Sequence, residues 1–142
     1  MIDDAYWAKF PEVLSIDDLA TITRKSKATI WRWLATGVIP AHQIGDRPNG
    51  SYVVYRDVFQ HRLEEPELPY PLPAELLARF GEELTPAEVA TLLGRHLDTV
   101  YAWFANGLVP GHRLGGSWLA YKREIVEMLE RTSNQASDSS GK

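Results

Sequence analysis

Residues 26 to 40 read SKATIWRWLATGVIP, and this stretch predicts a short helix with a defined start and a defined stop. Ser26 is expected to cap the helix, because its side-chain oxygen can accept a hydrogen bond from a backbone N–H of the first turn. Gly37 tolerates the positive φ at which helices commonly end, and Pro40 prevents the helix from resuming. The stretch therefore predicts one helix that ends near residue 37.

Apolar and basic residues are expected on opposite faces of this helix. Ile30, Trp33 and Leu34 fall at i, i+3 and i+4, which predicts a buried stripe. The opposite face and the residues just before it are rich in hydrogen-bond donors, namely Arg24, Lys25, Lys27, Thr29 and Arg32. A helix with an apolar back and a basic front suits either a nucleic-acid groove or a solvated surface, and this stretch alone leaves both open.

The composition excludes several classes of protein. The chain has 142 residues, 44% of them hydrophobic, and no cysteine, which rules out disulfides, thiolate metal sites and thiol nucleophiles. The absence of cysteine fits a reducing cytoplasm. No apolar run approaches the roughly 20 residues of a membrane span. The start, MIDDAYWAKF, lacks the basic and apolar regions of a signal peptide.

Charge is distributed unevenly along the chain. The formal net charge is −4, yet the segment from Arg24 to Arg62 contains seven basic and two acidic residues, a local charge of +5. A basic segment inside an acidic protein is the pattern expected of a local nucleic-acid contact.

The residues around the opening stretch predict a helix-turn-helix. Ser15 is a plausible N-cap for a preceding helix, whose inward residues are Leu19 and Ile22. A short break at residues 24–25 separates that helix from the next one. Two short helices joined by a tight turn form a helix-turn-helix.

A hairpin and a third helix are expected to follow. Asn49-Gly50 is a strong signal for a two-residue β-turn, so residues 44–55 predict a two-stranded wing. Residues 56–64 predict a helix with an apolar face made of Val58, Phe59 and Leu63.

The pattern then occurs a second time. Residues 14–45 align with residues 84–115 at a constant offset of 70 without a gap, and ten of the 32 pairs are identical. The hairpin of the second repeat is four residues shorter, after which Tyr55-Arg56 corresponds to Tyr121-Lys122. The predicted fold is therefore mainly α with small β-hairpin wings, in two tandem winged helix-turn-helix repeats. The predicted divisions are a leader (1–13), the first repeat (14–65), a proline-rich linker with a short helix (66–83), the second repeat (84–132) and a disordered tail (133–142).

Each repeat resembles the excisionase or MerR-like winged helix-turn-helix family. In the second repeat the resemblance is carried by Leu84-Thr85, Glu88, Ala90, Leu92-Leu93-Gly94, Thr99-Val100-Tyr101, Gly107, Pro110, Gly115, Trp118 and Tyr121. In the first it is carried by Leu14-Ser15, Asp18, Ala20, Ser26, Thr29-Ile30-Trp31, Gly37, Pro40, Gly45, Tyr52 and Tyr55.

The resemblance implies a recognition helix in the major groove and a wing over the adjacent minor groove or backbone. It implies sequence-specific binding of double-stranded DNA, as a transcriptional regulator or a phage-type recombination directionality factor. It also implies a nucleoid-associated protein in the cytoplasm of a prokaryotic or phage-infected cell. A second copy or another DNA-bound protein is the further partner that the resemblance suggests.

The candidate DNA-contacting residues lie on the predicted recognition helices, the turns before them and the wings. They are Arg24, Lys25, Lys27, Thr29, Arg32, Arg47, Asn49, Arg56, Arg95, His96, Thr99, Arg113, Lys122 and Arg123. In the second recognition helix Leu97 and Ala102 stand where the first has Lys27 and Arg32. The second repeat is thus either a weaker DNA reader or a protein-contact domain.

No pattern in the chain favours catalysis. The four histidines show no HxxxH or HExxH spacing, so no zinc site is expected, and no phosphate-binding glycine loop or nucleophile motif occurs. We therefore expect neither an enzyme nor a cofactor. The competing class is a protein-interaction adaptor or dimerisation module, in which the second repeat or both repeats contact a protein.

Overall fold

The computed structural model describes residues 4–45, 51–65 and 72–135, which form two units with the same order of elements. Unit 1 contains α1 (Asp4–Trp7), β1 (Val13–Leu14), α2 (Ile16–Thr23), α3 (Lys27–Thr36), β2 (His42–Ile44), β3 (Ser51–Tyr55) and α4 (Arg56–Glu64). Unit 2 contains α5 (Ala74–Ala78), β4 (Glu83–Leu84), α6 (Pro86–Leu93), α7 (Leu97–Asn106), β5 (His112–Leu114), β6 (Ser117–Tyr121) and α8 (Lys122–Thr132). The mainly α fold with small β-wings is confirmed.

The helix boundaries follow from local side-chain chemistry. Ser26 caps α3 by accepting a hydrogen bond from the Thr29 backbone N–H at 3.2 Å. Gly37 ends α3 at φ +84°, a left-handed conformation that glycine adopts without a Cβ clash. In unit 2, Gly107 ends α7 in the same way, but His96 forms no side-chain cap bond to that helix.

Each unit contains a three-stranded antiparallel sheet, where a two-stranded wing was predicted. The strand orders are β1-β3-β2 and β4-β6-β5. The extra strand comes from the segment before α2 or α6, which pairs with the strand that leads into the last helix of the unit. The repeated order of elements therefore begins at α1 and α5, upstream of the stretches whose sequences align.

The sheet of unit 1 separates two hydrophobic clusters. Val54 points to one side and packs with Leu19, Ile30 and Leu34 of α2 and α3. The other side of the sheet, which we call its outer face, contributes to the core of unit 2. The residues of the outer face that pack in the core of unit 2 are Val13, Ile44, Val53 and Tyr55.

Polar contacts join the outer face to unit 2. The Tyr55 hydroxyl donates to the Leu92 carbonyl at 2.9 Å, and the Arg95 guanidinium donates to the Tyr52 carbonyl. His42 Nδ1 hydrogen-bonds the Leu129 carbonyl. Gly94 lies against Val13 so closely that a Cβ on Gly94 would be 2.6 Å from the Val13 side chain.

One residue of the predicted apolar face of α4 differs from expectation. Val58 and Phe59 are buried, as predicted, but Leu63 is 52% exposed. The spacing places all three on neighbouring turns, yet nothing in the described part of unit 1 covers Leu63. The wing tip of unit 1, which includes the candidate residues Arg47 and Asn49, lies outside the described residues.

Candidate nucleic-acid interface

The front of α3 is an exposed basic surface on a rigid base. Ile30 and Leu34 of α3 are fully buried, while Lys27 in its first turn and Arg32 further along the helix are exposed. Thr29 is half-buried beside them. Arg24 and Lys25, both exposed, occupy the turn between α2 and α3, where Arg24 takes a left-handed φ of 59°. These five residues all fall within residues 24–32, and we call them the α3 front.

Lys27 forms an ion pair on the surface. Its Nζ lies 2.7 Å from Asp17 Oδ1, and both side chains are more than 60% exposed. An ion pair this exposed contributes little stability, because water and salt screen it. Lys27 can therefore exchange Asp17 for another anionic group at low cost.

The recognition helix contacts the wing of its own unit. Trp31 is 40% exposed, and its ring centroid lies 6.0 Å from that of Tyr52 on β3. Because Arg95 binds the Tyr52 carbonyl, unit 2 contacts the wing strand at the residue that packs on α3. Burial lowers the pKa of Arg95 from its usual value.

The C-terminal end of α3 is hydrogen-bonded by Asn134 and Gln135, two residues of the predicted disordered tail. The Asn134 side chain donates to the Leu34 carbonyl at 2.9 Å and the Ile39 carbonyl at 2.8 Å, and it accepts from the Ala41 N–H. Gln135 Nε2 donates to the Gly37 carbonyl at 3.0 Å. No signal in the Ser-rich composition points to these contacts, because they join residues almost 100 positions apart.

Three further candidate residues are engaged in protein contacts. Arg56 donates to the Phe10 carbonyl at 2.6 Å. Lys122, at the equivalent position of unit 2, donates to the carbonyls of Leu77 and Phe80. Together with Arg95, these cations hold backbone carbonyl groups in place and are less available to phosphate than the α3 front.

The equivalent surface of unit 2 is mostly neutral. Leu97 and Tyr101 are 40% and 41% exposed on α7, and Thr99 is half-buried. His96 is exposed before that helix. Of the remaining candidate residues, Arg123 is exposed, and Arg113 lies 5.8 Å from the ring centroid of Trp118.

Comparison with protein families decides how this arrangement is classified. A family model described as a helix-turn-helix domain matches residues 13–66 and 83–133, which together exceed half of the chain. The chain belongs to this helix-turn-helix family. Its two matched regions confirm the predicted tandem arrangement of helix-turn-helix repeats, and the family supports DNA binding by such a protein. Comparison with curated proteins and with solved structures finds no match.

Other classes of site receive no support in the described ranges of this helix-turn-helix protein. Across residues 4–45, 51–65 and 72–135, no group of three or more histidine, aspartate or glutamate side chains is arranged to hold a metal ion. No described helix has the length and apolar character needed to cross a membrane.

Proposed function

We propose that the chain binds double-stranded DNA sequence-specifically, as a transcriptional regulator or a phage-type recombination directionality factor. The observation that carries the proposal is the α3 front, an exposed basic surface on a helix that is capped at its start and braced at its end. Its expected setting is the nucleoid of a prokaryotic or phage-infected cell.

The chemistry of the α3 front suits a DNA groove. Arginine and lysine donate to guanine O6 and N7 or to phosphate, and threonine contacts phosphate or a thymine methyl group. Lys27 and Arg32 project from the helix itself, so we assign them to base edges. Arg24 and Lys25 precede the helix, so we assign them to phosphates beside the groove.

Unit 2 supports the proposal because it holds α3 and the wing strand of unit 1 in place. Its residues Arg95, Asn134 and Gln135 bind carbonyl groups of the wing strand and of the segment that ends α3. A recognition helix fixed in this way loses little conformational freedom when it enters a groove, which favours binding.

The test is duplex DNA binding by the full chain across a series of salt concentrations. The wild type should bind a site selected from a random pool, with log K falling linearly as log[salt] rises. Lys27→Ala and Arg32→Ala should each weaken binding to that site by about 1–3 kcal/mol if they read bases. Lys25→Ala should weaken binding to all sequences alike and reduce the salt slope by about 1.

The matched control lies on α7. Leu97→Ala with Tyr101→Ala changes the equivalent surface of unit 2 and should leave the affinity for DNA unchanged. If the wild type fails to retain duplex DNA at low salt, the proposed function is wrong. If the α7 control weakens binding as much as the α3 variants do, reading by unit 1 alone is wrong.

A second candidate function is protein contact through α7. It is favoured by the exposed Leu97, which stands where α3 has Lys27, and by the exposed Tyr101 on the next turn of α7. Exposed apolar side chains on a helix front are more typical of a protein interface than of a DNA interface. This function predicts that the Leu97→Ala, Tyr101→Ala chain keeps its affinity for DNA but loses protein contacts through α7, which a separate protein-binding measurement reports.

A further inference from the structure

The two sheets have equivalent outer faces in opposite environments. In unit 1 the outer face is made of Val13, His42, Ile44, Val53 and Tyr55, which alternate along the strands with residues that face α2 and α3. The equivalent residues of unit 2 are Glu83, His112, Leu114, Leu119 and Tyr121. Among residues 4–45, 51–65 and 72–135, only the first of these faces is covered.

Unit 2 covers the outer face of unit 1 almost completely. Ile44, Val53 and Tyr55 are each at most 2% exposed. The covering surface lies at the end of α6 and along α8, and its contacts come from Leu92, Gly94, Arg95 and Leu129. We call it the docking surface of unit 2.

The outer face of unit 2 is open, although it keeps its apolar members. Leu114 is 83% exposed where Ile44 is buried, and Tyr121 is 38% exposed where Tyr55 is buried. Leu114, the half-buried Leu119 and Tyr121 lie on one face of this sheet, and a group of exposed apolar side chains is typical of an interaction surface.

The docking surface also has an open equivalent, and it lies on unit 1. Leu63 corresponds to Leu129 of the docking surface and is 52% exposed, whereas Leu129 is fully buried. Arg24 and Lys25 correspond to Gly94 and Arg95, and both are exposed. The described part of the chain therefore carries one open outer face and one open docking surface.

The two open surfaces differ from their covered equivalents at a pair of positions that contact each other in the covered pair. Inside the chain, Val13 packs on Gly94, which has no room for a Cβ. At the open positions Glu83 replaces the valine and Arg24 replaces the glycine, so a close apolar contact becomes an acidic residue opposite a basic one. The side chain of Arg24 requires a wider separation at this edge than Gly94 does. Two long side chains of opposite charge are suited to span that separation.

We propose that copies of this chain associate head to tail, with the outer face of unit 2 of one copy on the docking surface of unit 1 of the next. The outer face of the first copy, with Leu114, Leu119 and Tyr121, lies on the surface of the second copy that contains Leu63, and Glu83 pairs with Arg24. The contact joins two different surfaces, so each dimer still has one of each open and can grow into a ring or an open chain of copies.

Sedimentation of the full chain without DNA tests the proposal over a range of about 1 μM to about 1 mM, which covers weak and transient contacts. The average mass of the wild type should rise with concentration past that of a dimer. Leu114→Glu and Leu63→Glu alter exposed side chains, and each should weaken association by about tenfold or more. Ala87→Glu places the same charge on an exposed residue of α6 that belongs to neither surface, and this variant should associate like the wild type.

Mixing the variants distinguishes head-to-tail association from symmetric pairing. Leu114→Glu retains an intact docking surface, and Leu63→Glu retains an intact outer face, so an equimolar mixture should stop at a dimer of the two. Charge exchange adds a second criterion: Glu83→Arg and Arg24→Glu should each weaken association, and the chain with both substitutions should recover it.

Three results would overturn the proposal. The first is a wild type that stays monomeric up to about 1 mM. The second is association that Leu114→Glu leaves intact. The third is a mixture of the two glutamate variants that forms no more dimer than either variant alone. DNA is absent throughout, so these outcomes do not depend on the proposed function.

Discussion

His42 and His112 occupy the same position of the duplicated pattern, yet their surroundings differ. His42 is only 7% exposed, and its Nδ1 bonds the Leu129 carbonyl. Because a carbonyl can only accept, Nδ1 carries the proton and donates. Burial lowers the pKa of His42, an effect that this hydrogen bond partly opposes. His112 is exposed, with its Nε2 at 2.7 Å from Glu124 Oε1.

The buried histidine predicts a loss of stability in mild acid. Above about pH 6.5, the ordinary pKa of histidine, His42 is neutral in both the folded and unfolded chain. As the pH falls below that value, the unfolded chain binds a proton that the folded chain does not bind until its own lower pKa is reached. The free energy of unfolding should therefore fall in this window, by at most about 1.4 kcal/mol per pH unit from this group.

Urea unfolding of His42→Asn between about pH 5 and about pH 8 checks the assignment. Asparagine keeps a donor near the Leu129 carbonyl and cannot be protonated, so the variant should show a flatter pH dependence than the wild type. His112→Asn removes the histidine from the exposed equivalent position. If both substitutions flatten the curve equally, the buried site is not its cause.

The sequence predicts the role of a residue well where that role depends on near neighbours in the chain. Ser26 and Gly37 bound α3 as expected, because capping depends on the residue itself and on the next three or four positions. The role of Arg95 was not predictable in the same way. A cation in a helix-turn-helix turn is equally suited to phosphate and to a carbonyl group, and only the tertiary arrangement places the Tyr52 carbonyl beside it.

Among the elements, α3 depends on a partner far away in the sequence. Its start is capped locally by Ser26, but its end is bonded by Asn134 and Gln135, which follow α8. At the same point in unit 2, Asn106 makes a local contact instead, accepting from the Leu108 N–H at 3.1 Å. Both helices therefore end at a left-handed glycine, but the end of α3 is bonded in addition by side chains that follow α8.

Asn134→Ala is expected to lower the free energy of unfolding by about 2–3 kcal/mol, because it removes three hydrogen bonds and leaves the Ile39 carbonyl and the Ala41 N–H without the partner that Asn134 supplies. Asn106→Ala, the control, removes one exposed hydrogen bond and should lower it by about 1 kcal/mol or less. Chemical denaturation measures both values. Equal losses would show that the Asn134 contacts do not stabilise α3.

The type and order of the elements were predictable because helix periodicity, caps and the hairpin signal are local. The third strand of each sheet was not, since Val13–Leu14 and Glu83–Leu84 are two-residue strands that exist only through their pairing with β3 and β6. The exposure of Leu63 was also unpredictable. Leu129 occupies the same position in the last helix of unit 2, yet it is buried where unit 2 meets unit 1.

Across the whole molecule, the two units share one core. The outer face of unit 1 packs in the same cluster as Leu92, Ile125 and Leu129 of unit 2. The duplication in the sequence revealed that two similar units exist. It did not reveal which surfaces meet, because both units carry nearly the same apolar residues at the surfaces concerned.

The shared core predicts a single cooperative unfolding transition. Opening either unit exposes apolar area of the other, so neither has a stable folded state alone under conditions that unfold its neighbour. Calorimetry should give a van't Hoff enthalpy equal to the calorimetric enthalpy, with circular dichroism and tryptophan fluorescence changing together. Two resolved transitions would contradict this prediction.

The attachment of Asn134 and Gln135 to the end of α3 also sets an order of events during synthesis. The ribosome makes α3 early, but the side chains that bind its last carbonyls are added nearly 100 residues later. At ordinary rates of translation this interval is about 5 to 20 seconds. Throughout that interval the nascent α3 has its local caps, Ser26 and Gly37, but lacks the side chains that bond its last carbonyl groups, so the helix is completed only after α8 has been made.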